Sequence, residues 1–386
     1  MKLLRYLPLL IPAVTILAQS PDALTRQARP PFQRNSFHAN VATPGYTPFF
    51  VLDAYELRGI QNKGAGQTIA VIDAFDDPTA EADLATFTRQ FQLPPCTREN
   101  GCFKLIYAGG KQPPPDTSGW SNEVAIDTQW AHAVAPAATI MLVESQSSQL
   151  KDLIGAVDVA IAHGATVVCM SWISSEAPDE PQLDTHFNVP GVTFVAASGD
   201  SGHGAYYPAA SPYVVAVGGT SLAVNPNGTW ANEAAWSGSG GGTSKFETEP
   251  SYQMAVQSTG KRGVPDVAYD GNPSTGVPAY NSHACGLCYT GWDQWGGTSI
   301  GTPQWAAVFA IANSLRVSAG KTRLTQPQFI LYGVYALLGA VDYHDITSGA
   351  NGSCGSECQA APGYDFVTGL GSPIGGALIT KLAGAR

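Results

Sequence analysis

Thr68-Ile-Ala-Val-Ile-Asp73 and Thr139-Ile-Met-Leu-Val-Glu144 are short apolar runs that each end in a carboxylate, and their reading decides the fold. Neither alternates polar with apolar residues, as a strand with one wet face would, so both sides of each run must be covered. A helical pattern follows each, over residues 78–91 and 149–163. Further strands are predicted at 166–171, 193–197 and 214–217, and an apolar helix at 303–318 with Pro303 in its first turn. Continuous apolar strands separated by helices predict an α/β fold, a largely parallel sheet flanked by helices on both faces, in a single domain. In such sheets ligands bind beyond the carboxyl ends of the strands, so the loops after these runs are where chemistry is expected.

The 386 residues are 44% hydrophobic, enough for one large core or two modest ones. Only 13% are charged, about half the usual share of roughly 25%. Acids outnumber bases 30 to 20, giving a net charge of −10. Nucleic acid and anionic membrane surfaces both need clustered Lys and Arg, so neither is expected as a partner. At the N-terminus, Lys2 and Arg5 precede a mostly apolar stretch over 7–17, broken by Pro8 and Pro12, and then Ala18, Gln19 and Ser20. This reads as a signal peptide over 1–19, with an uncleaved anchor as the alternative. Residues 20–43 read as a short flexible leader and 44–386 as the folded domain. No later run approaches spanning length, so the expectation is a secreted, monomeric protein with no membrane attachment after signal cleavage.

Seven cysteines fit export. Three pairs lie close in sequence, Cys96 with Cys102, Cys285 with Cys288, and Cys354 with Cys358, while Cys169 stands alone in an apolar run. Local disulfides are the natural reading in an oxidising compartment. A zinc site built from Cys285, Cys288, Cys354 and Cys358 is the competing one.

Two serines have nucleophile-like contexts. Gly199-Asp200-Ser201-Gly202 mimics the serine of chymotrypsin-like proteases, but that fold is all-β. Gly297-Thr298-Ser299-Ile300-Gly301 fits a G-x-S-x-G elbow, yet the preceding 289–295 does not look like a buried strand, and the only later histidine is His344. Taken with Thr302 and Pro303, Ser299 instead opens a helix, where unsatisfied N–H groups favour developing negative charge. An ordinary helix cap is the other reading of Ser299.

A helix-borne histidine base is missing between Asp73 and Trp130, and His132 lacks glycine-rich surroundings. The region holds Ser121-Asn-Glu123-Val-Ala-Ile-Asp127-Thr-Gln-Trp-Ala-His-Ala-Val-Ala-Pro136. Glu123 and Asp127 are four apart and share a helix face. They read either as a solvated surface pair or as coupled carboxyls sharing a proton. Asp200 alone reads as a turn residue, and Asp73, Asp76 and Asp77 as lining for the loop after the first strand.

With its Glu-x-x-x-Asp spacing and trailing Ala-His-Ala-x-Ala-Pro, the segment resembles the catalytic helix of the sedolisin family of serine-carboxyl peptidases. Val195 to Gly202, Tyr207-Pro208-Ala, Ser211 to Thr220, Arg262-Gly-Val-Pro-Asp-Val267 and Gly297-Thr-Ser-x-x-x-Pro303 resemble its later blocks, in the family's order. The resemblance runs from about Tyr46 to Pro373 and implies a subtilisin-like fold. It also implies Ser299 as nucleophile, Glu123 as base, Asp127 holding Glu123, and a protonated Asp200 in the oxyanion hole, acting on polypeptide substrates. The tail, Asp345-Ile346 and then Pro362-Gly363-Tyr364-Asp365, resembles the family's calcium loop. That implies one structural Ca²⁺ on Asp345, Ile346, Ala361, Gly363 and Asp365, a set of hard oxygen donors. Most members of that family carry a long N-terminal prodomain, and residues 20–42 are far too short to be one. The expected pH profile is a bell with its maximum at roughly pH 3–5 and little activity near about pH 7. The alternatives are a binding protein on an inactive peptidase scaffold and an esterase dependent on His344.

Overall fold

The computed structural model describes residues 25–35 and 44–385. The signal-peptide reading of 1–19 lies outside these residues. The central sheet has eight strands, here β2 (Thr68–Ala74), β3 (Phe103–Tyr107), β4 (Thr139–Ser145), β5 (Val167–Met170), β6 (Thr193–Ala197), β7 (Val214–Val224), β8 (Trp230–Ala235) and β9 (Val267–Asp270). All but β8 run parallel, in the order β3-β4-β2-β5-β6-β7-β9. β8 folds back antiparallel on the far half of β7. A smaller sheet joins β1 (Gln33–Arg34) to the hairpin β10 (Val277–Asn281) and β11 (Gly291–Gly296). The predicted parallel α/β architecture is borne out.

Alternation along β2 explains the continuous apolar runs. Ile69 and Val71 point into one core with helices α1 (Ala80–Gln90), α2 (Trp120–Val134) and α4 (Thr298–Ser318). Ala70 and Ile72 point into a second core with helix α3 (Leu150–Ala162). Side chains on both faces are therefore dry, and a polar alternation would have left unpaired groups in one of the cores. By the same alternation Asp73, at the end of β2, faces the α2 side.

The helix predicted from residue 303 opens one turn earlier, at Thr298, and Pro303 sits inside it. Proline favours a first turn because its missing N–H is not needed there. Here the start is fixed instead by Gly297, at φ 120°, and by the Asp200 carboxylate, which accepts from Thr298 N at 2.8 Å. Ser299 consequently belongs to the helix's first turn.

The three close cysteine pairs form disulfides, and Cys169 is a buried free thiol. Cys285, Cys288, Cys354 and Cys358 thus offer no thiolates for zinc. The Arg262 block ties the sheet to the helix Gln328–Leu338. Arg262 donates to both oxygens of buried Asp266, at 2.8 and 2.6 Å, and Asp266 also accepts from Ala216 N and Tyr332 Oη. The interior carries further acids, among them Asp77, Glu144 and Glu180. Glu144 Oε1 accepts from Asp77 N at 2.9 Å.

Candidate active site

Helix α2 starts where Gly119 turns the chain, at φ 98°, and where Asp116 accepts from Ser121 N at 2.8 Å. All fifteen of its residues are buried. Glu123 and Asp127 therefore do not form a solvated pair; both are completely excluded from water. Asp127 Oδ1 accepts from Ser171 Oγ at 2.8 Å, and the Cys169 thiol lies 3.5 Å from its Oδ2. Both partners stand on or just after β5, beyond its carboxyl end in the case of Ser171. Neither Glu123 oxygen has a hydrogen-bond partner among the described residues.

Ser299 reaches this pair from helix α4, which packs against α2. Asp200 reaches it from the loop after β6. Its Oδ1 accepts from Thr298 N and Thr298 Oγ1 at 2.8 and 3.0 Å. Its Oδ2 is buried and without a partner among the described residues. A Cβ at position 297 would collide with both Asp200 Oδ2 and the Pro31 carbonyl, so glycine keeps that space open.

Burial first, then the charges of Asp127 and Asp73, push the Glu123 carboxyl well above the usual range, while the Ser299 hydroxyl beside it works the other way. Burial also raises Asp127, against the hydrogen bonds from Ser171 and Cys169. Asp200 is pushed by burial to about 8, against the Thr298 N–H and hydroxyl and the charge of Arg29. Burial and mutual repulsion keep these carboxyls from all ionising at once.

The structure brings Glu123, Asp127, Asp200 and Ser299 to one place. Asp73, read only as loop lining, belongs there too. It is wholly buried, neither of its oxygens has a partner among the described residues, and burial and then Asp127 raise its pKa. Its signal in the sequence was its position, a carboxylate at the end of a central strand. The two histidines lie elsewhere. His132 bonds to the Pro94 carbonyl at 2.8 Å, and His344 stacks on Trp230 with ring centroids 4.2 Å apart. Asp345, followed in the chain by Ile346, and Asp365 lie apart from the site in the C-terminal loop, where they accept from Gly363 N and Ala361 N.

The described part of the leader, residues 25–35, is docked across the site. Upstream, Ala28 N donates to Ser148 O at 2.7 Å, and Arg29 exchanges two backbone hydrogen bonds with Ile173 at 3.0 and 2.9 Å. Downstream, Gln33 and Arg34 pair antiparallel with Gly296 and Trp295 of β11. Between the two anchors the Ser299 hydroxyl donates to the Pro31 carbonyl at 2.9 Å. The composition of 20–43 suggested flexibility. Its order from 25 to 35 comes from backbone pairing with the edge of β11 and with an isolated bridge at Ile173, which depends little on side-chain type.

The sequence model of the subtilase family matches residues 116–328, more than half of the chain. Kumamolisin of a Bacillus species is 31% identical over 93% of this chain and 67% of its own length. Sedolisin of a Pseudomonas species is 30% identical over 53% of this chain, which spans 38% of that protein. A solved structure of Pseudomonas sedolisin, described as a serine-carboxyl proteinase complexed with two molecules of pseudo-iodotyrostatin, superposes with a TM-score of 0.76. That match is at 25% identity and covers 88% of this chain and 98% of the other. With a relative this similar along nearly the whole chain, and the same fold in a solved member, the protein belongs to the sedolisin family of serine-carboxyl peptidases, within the subtilases.

Proposed function

We propose that the chain is a secreted, monomeric serine peptidase that hydrolyses peptide bonds in acid through Ser299, Glu123 and Asp127, with Asp200 serving the oxyanion. The observation that carries this reading is the meeting of Ser299, Glu123 and Asp200 around the carbonyl of a bound peptide segment. Ser299 Oγ attacks the scissile carbonyl carbon, and its proton passes to Glu123. Asp127 holds Glu123 and shares the proton, itself held by Ser171 and Cys169. As the carbonyl oxygen gains charge it moves into the space beside Gly297, where Asp200 Oδ2 waits without a partner. A carboxyl can donate there only if protonated, and its burial favours that state. Glu123 then returns the proton to the leaving amine, and water releases the acyl group by the same path. The test is turnover of an internally quenched peptide in acid, with a simple ester in parallel. Cleavage of the ester alone would return attention to an esterase. No helix among the described residues is long and apolar enough to cross a membrane.

The C-terminal loop suits one structural Ca²⁺. The carboxylates of Asp345 and Asp365 converge on one short segment, accepting from Gly363 N at 3.0 Å and Ala361 N at 3.1 Å. Among the described residues neither is paired with Lys, Arg or His. Two acids and the carbonyls of Ile346, Ala361 and Gly363 make an all-oxygen donor set of the kind Ca²⁺ takes. Calcium at a hundredfold its dissociation constant stabilises the fold by about 2.7 kcal/mol. Chelation should therefore lower the melting temperature by several degrees, and Asp345→Asn should abolish that response. A melting temperature indifferent to chelator would remove the ion from the account.

A further inference from the structure

The docked leader lies in the cleft as a substrate would, so it shows which walls meet which side chains. The carbonyl at Ser299 belongs to Pro31, which places the Pro31–Phe32 bond at the reacting position. Phe32, Gln33 and Arg34 are then the first, second and third residues on the leaving-group side. Strand β11 forms the wall they lie against. Successive side chains of a strand alternate, so Asp293 and Trp295 share one face. Trp295 meets Phe32 edge to face, with centroids 5.2 Å apart. Asp293 forms an ion pair with Arg34 through its Oδ2. The Arg34 guanidinium also lies over the Tyr289 ring, 4.2 Å from its centroid.

Asp293 is only 6% exposed, and its other oxygen accepts from Gln294 N at 3.0 Å. Its one ion pair among the described residues comes from the leader. Covered by a bound segment, this carboxylate is costly to leave unpaired, and an aromatic face opposite it completes a cage for a planar cation. Resting on the peptidase reading above, we propose that Asp293 and Tyr289 form a specificity subsite for a basic residue, arginine above all, three positions after the cleaved bond. The same two residues clamp the leader in place until it is displaced.

Two measurements test this, one of them independent of turnover. In full-length protein carrying Ser299→Ala, hydrogen exchange is followed over residues 25–35. Adding Arg34→Glu or Asp293→Asn should speed exchange there about tenfold or more, while exchange in the core strands stays the same. In the active protein, kcat/KM is compared for quenched peptides that differ only in carrying Arg, Ala or Glu at the third leaving-side position. Arg should lead Glu by at least about tenfold, and Asp293→Lys should invert that order. Moving the Arg to the second or fourth position should remove its advantage. Equal kcat/KM for Arg and Glu, or an advantage at a different position, would overturn the subsite. So would leader exchange unmoved by both substitutions. If no peptide is cleaved at all, the peptidase reading falls, and the exchange measurement alone decides whether Asp293 and Tyr289 hold Arg34.

Discussion

Ser299→Ala is expected to reduce kcat by on the order of 10⁴-fold or more, and Glu123→Gln by a similar factor. In the proposed mechanism the two act as one unit: without the hydroxyl there would be no nucleophile, and without the carboxylate nothing would take its proton. The double variant should be hardly worse than either single one. The fold should tolerate both changes. Ser299→Ala removes one oxygen from a helix's first turn. Glu123→Gln replaces an acid that has no hydrogen-bond partner among the described residues and that burial drives toward its neutral form. Its melting temperature should therefore stay level or rise, since a neutral amide avoids the repulsion from Asp127 and Asp73. The check is kcat/KM on a quenched peptide alongside thermal melting. Turnover near that of the parent in either variant would remove that residue from the mechanism.

The second large effect concerns pH. Asp200 must be protonated to donate, so activity should fall as pH rises through its pKa, about 8 in the structure with the leader docked. Glu123 must be able to accept a proton, so activity should also fall at low pH. Burial and its acidic neighbours raise Glu123, which moves the acid limb upward as well. Both shifts belong to the covered cleft. Once the leader leaves and water enters, the desolvation that raises both groups eases, and both limbs move toward acid. The expected profile for peptide cleavage is thus a bell with its maximum near roughly pH 3–5, extinguished before about pH 8, and its limbs belong to the coupled cluster. Asp200→Asn separates the two roles. An amide is a weaker donor but stays neutral, so kcat should drop by about 10²–10³-fold while the alkaline limb moves up or disappears. A maximum at neutral or alkaline pH in the parent, or an alkaline limb unmoved by Asp200→Asn, would require a different base and a different oxyanion donor.

The sheet was legible because its apolar runs are written locally, and the four candidate catalytic residues were singled out because the motifs around them resemble one family's blocks in order. An apolar run with no polar alternation needs two cores, and Glu123, Asp127, Asp200 and Ser299 each stand in a compact motif. What escaped was set by tertiary contact. Asp73 reads as an ordinary loop acid until helix α2 covers it and Asp127 stands opposite. Pro303 reads as a helix start because the carboxylate that caps Thr298 lies 98 residues away in the chain. The leader has the composition of a linker, and its order comes from backbone pairing at Ile173 and along β11 that no feature of its own sequence announces.

The acids buried in the interior also bear on how long the molecule lasts. Burial lifts Asp77 to about 6, Glu180 and Glu247 to about 8, and Glu144 to about 9. In an unfolded chain these groups would titrate near roughly 4. Between those values the folded chain holds more protons than the unfolded one, so the stability these groups contribute is complete below about pH 4 and is lost as pH rises through the folded values. Unfolding in that window releases protons to the solvent, and every rise in pH favours it. The acidity that the proposed role of Asp200 requires would thus also keep these acids at home in the core. An enzyme carried from an acidic medium to a neutral one would lose its chemistry and its durability together, with no inhibitor needed to end its working life.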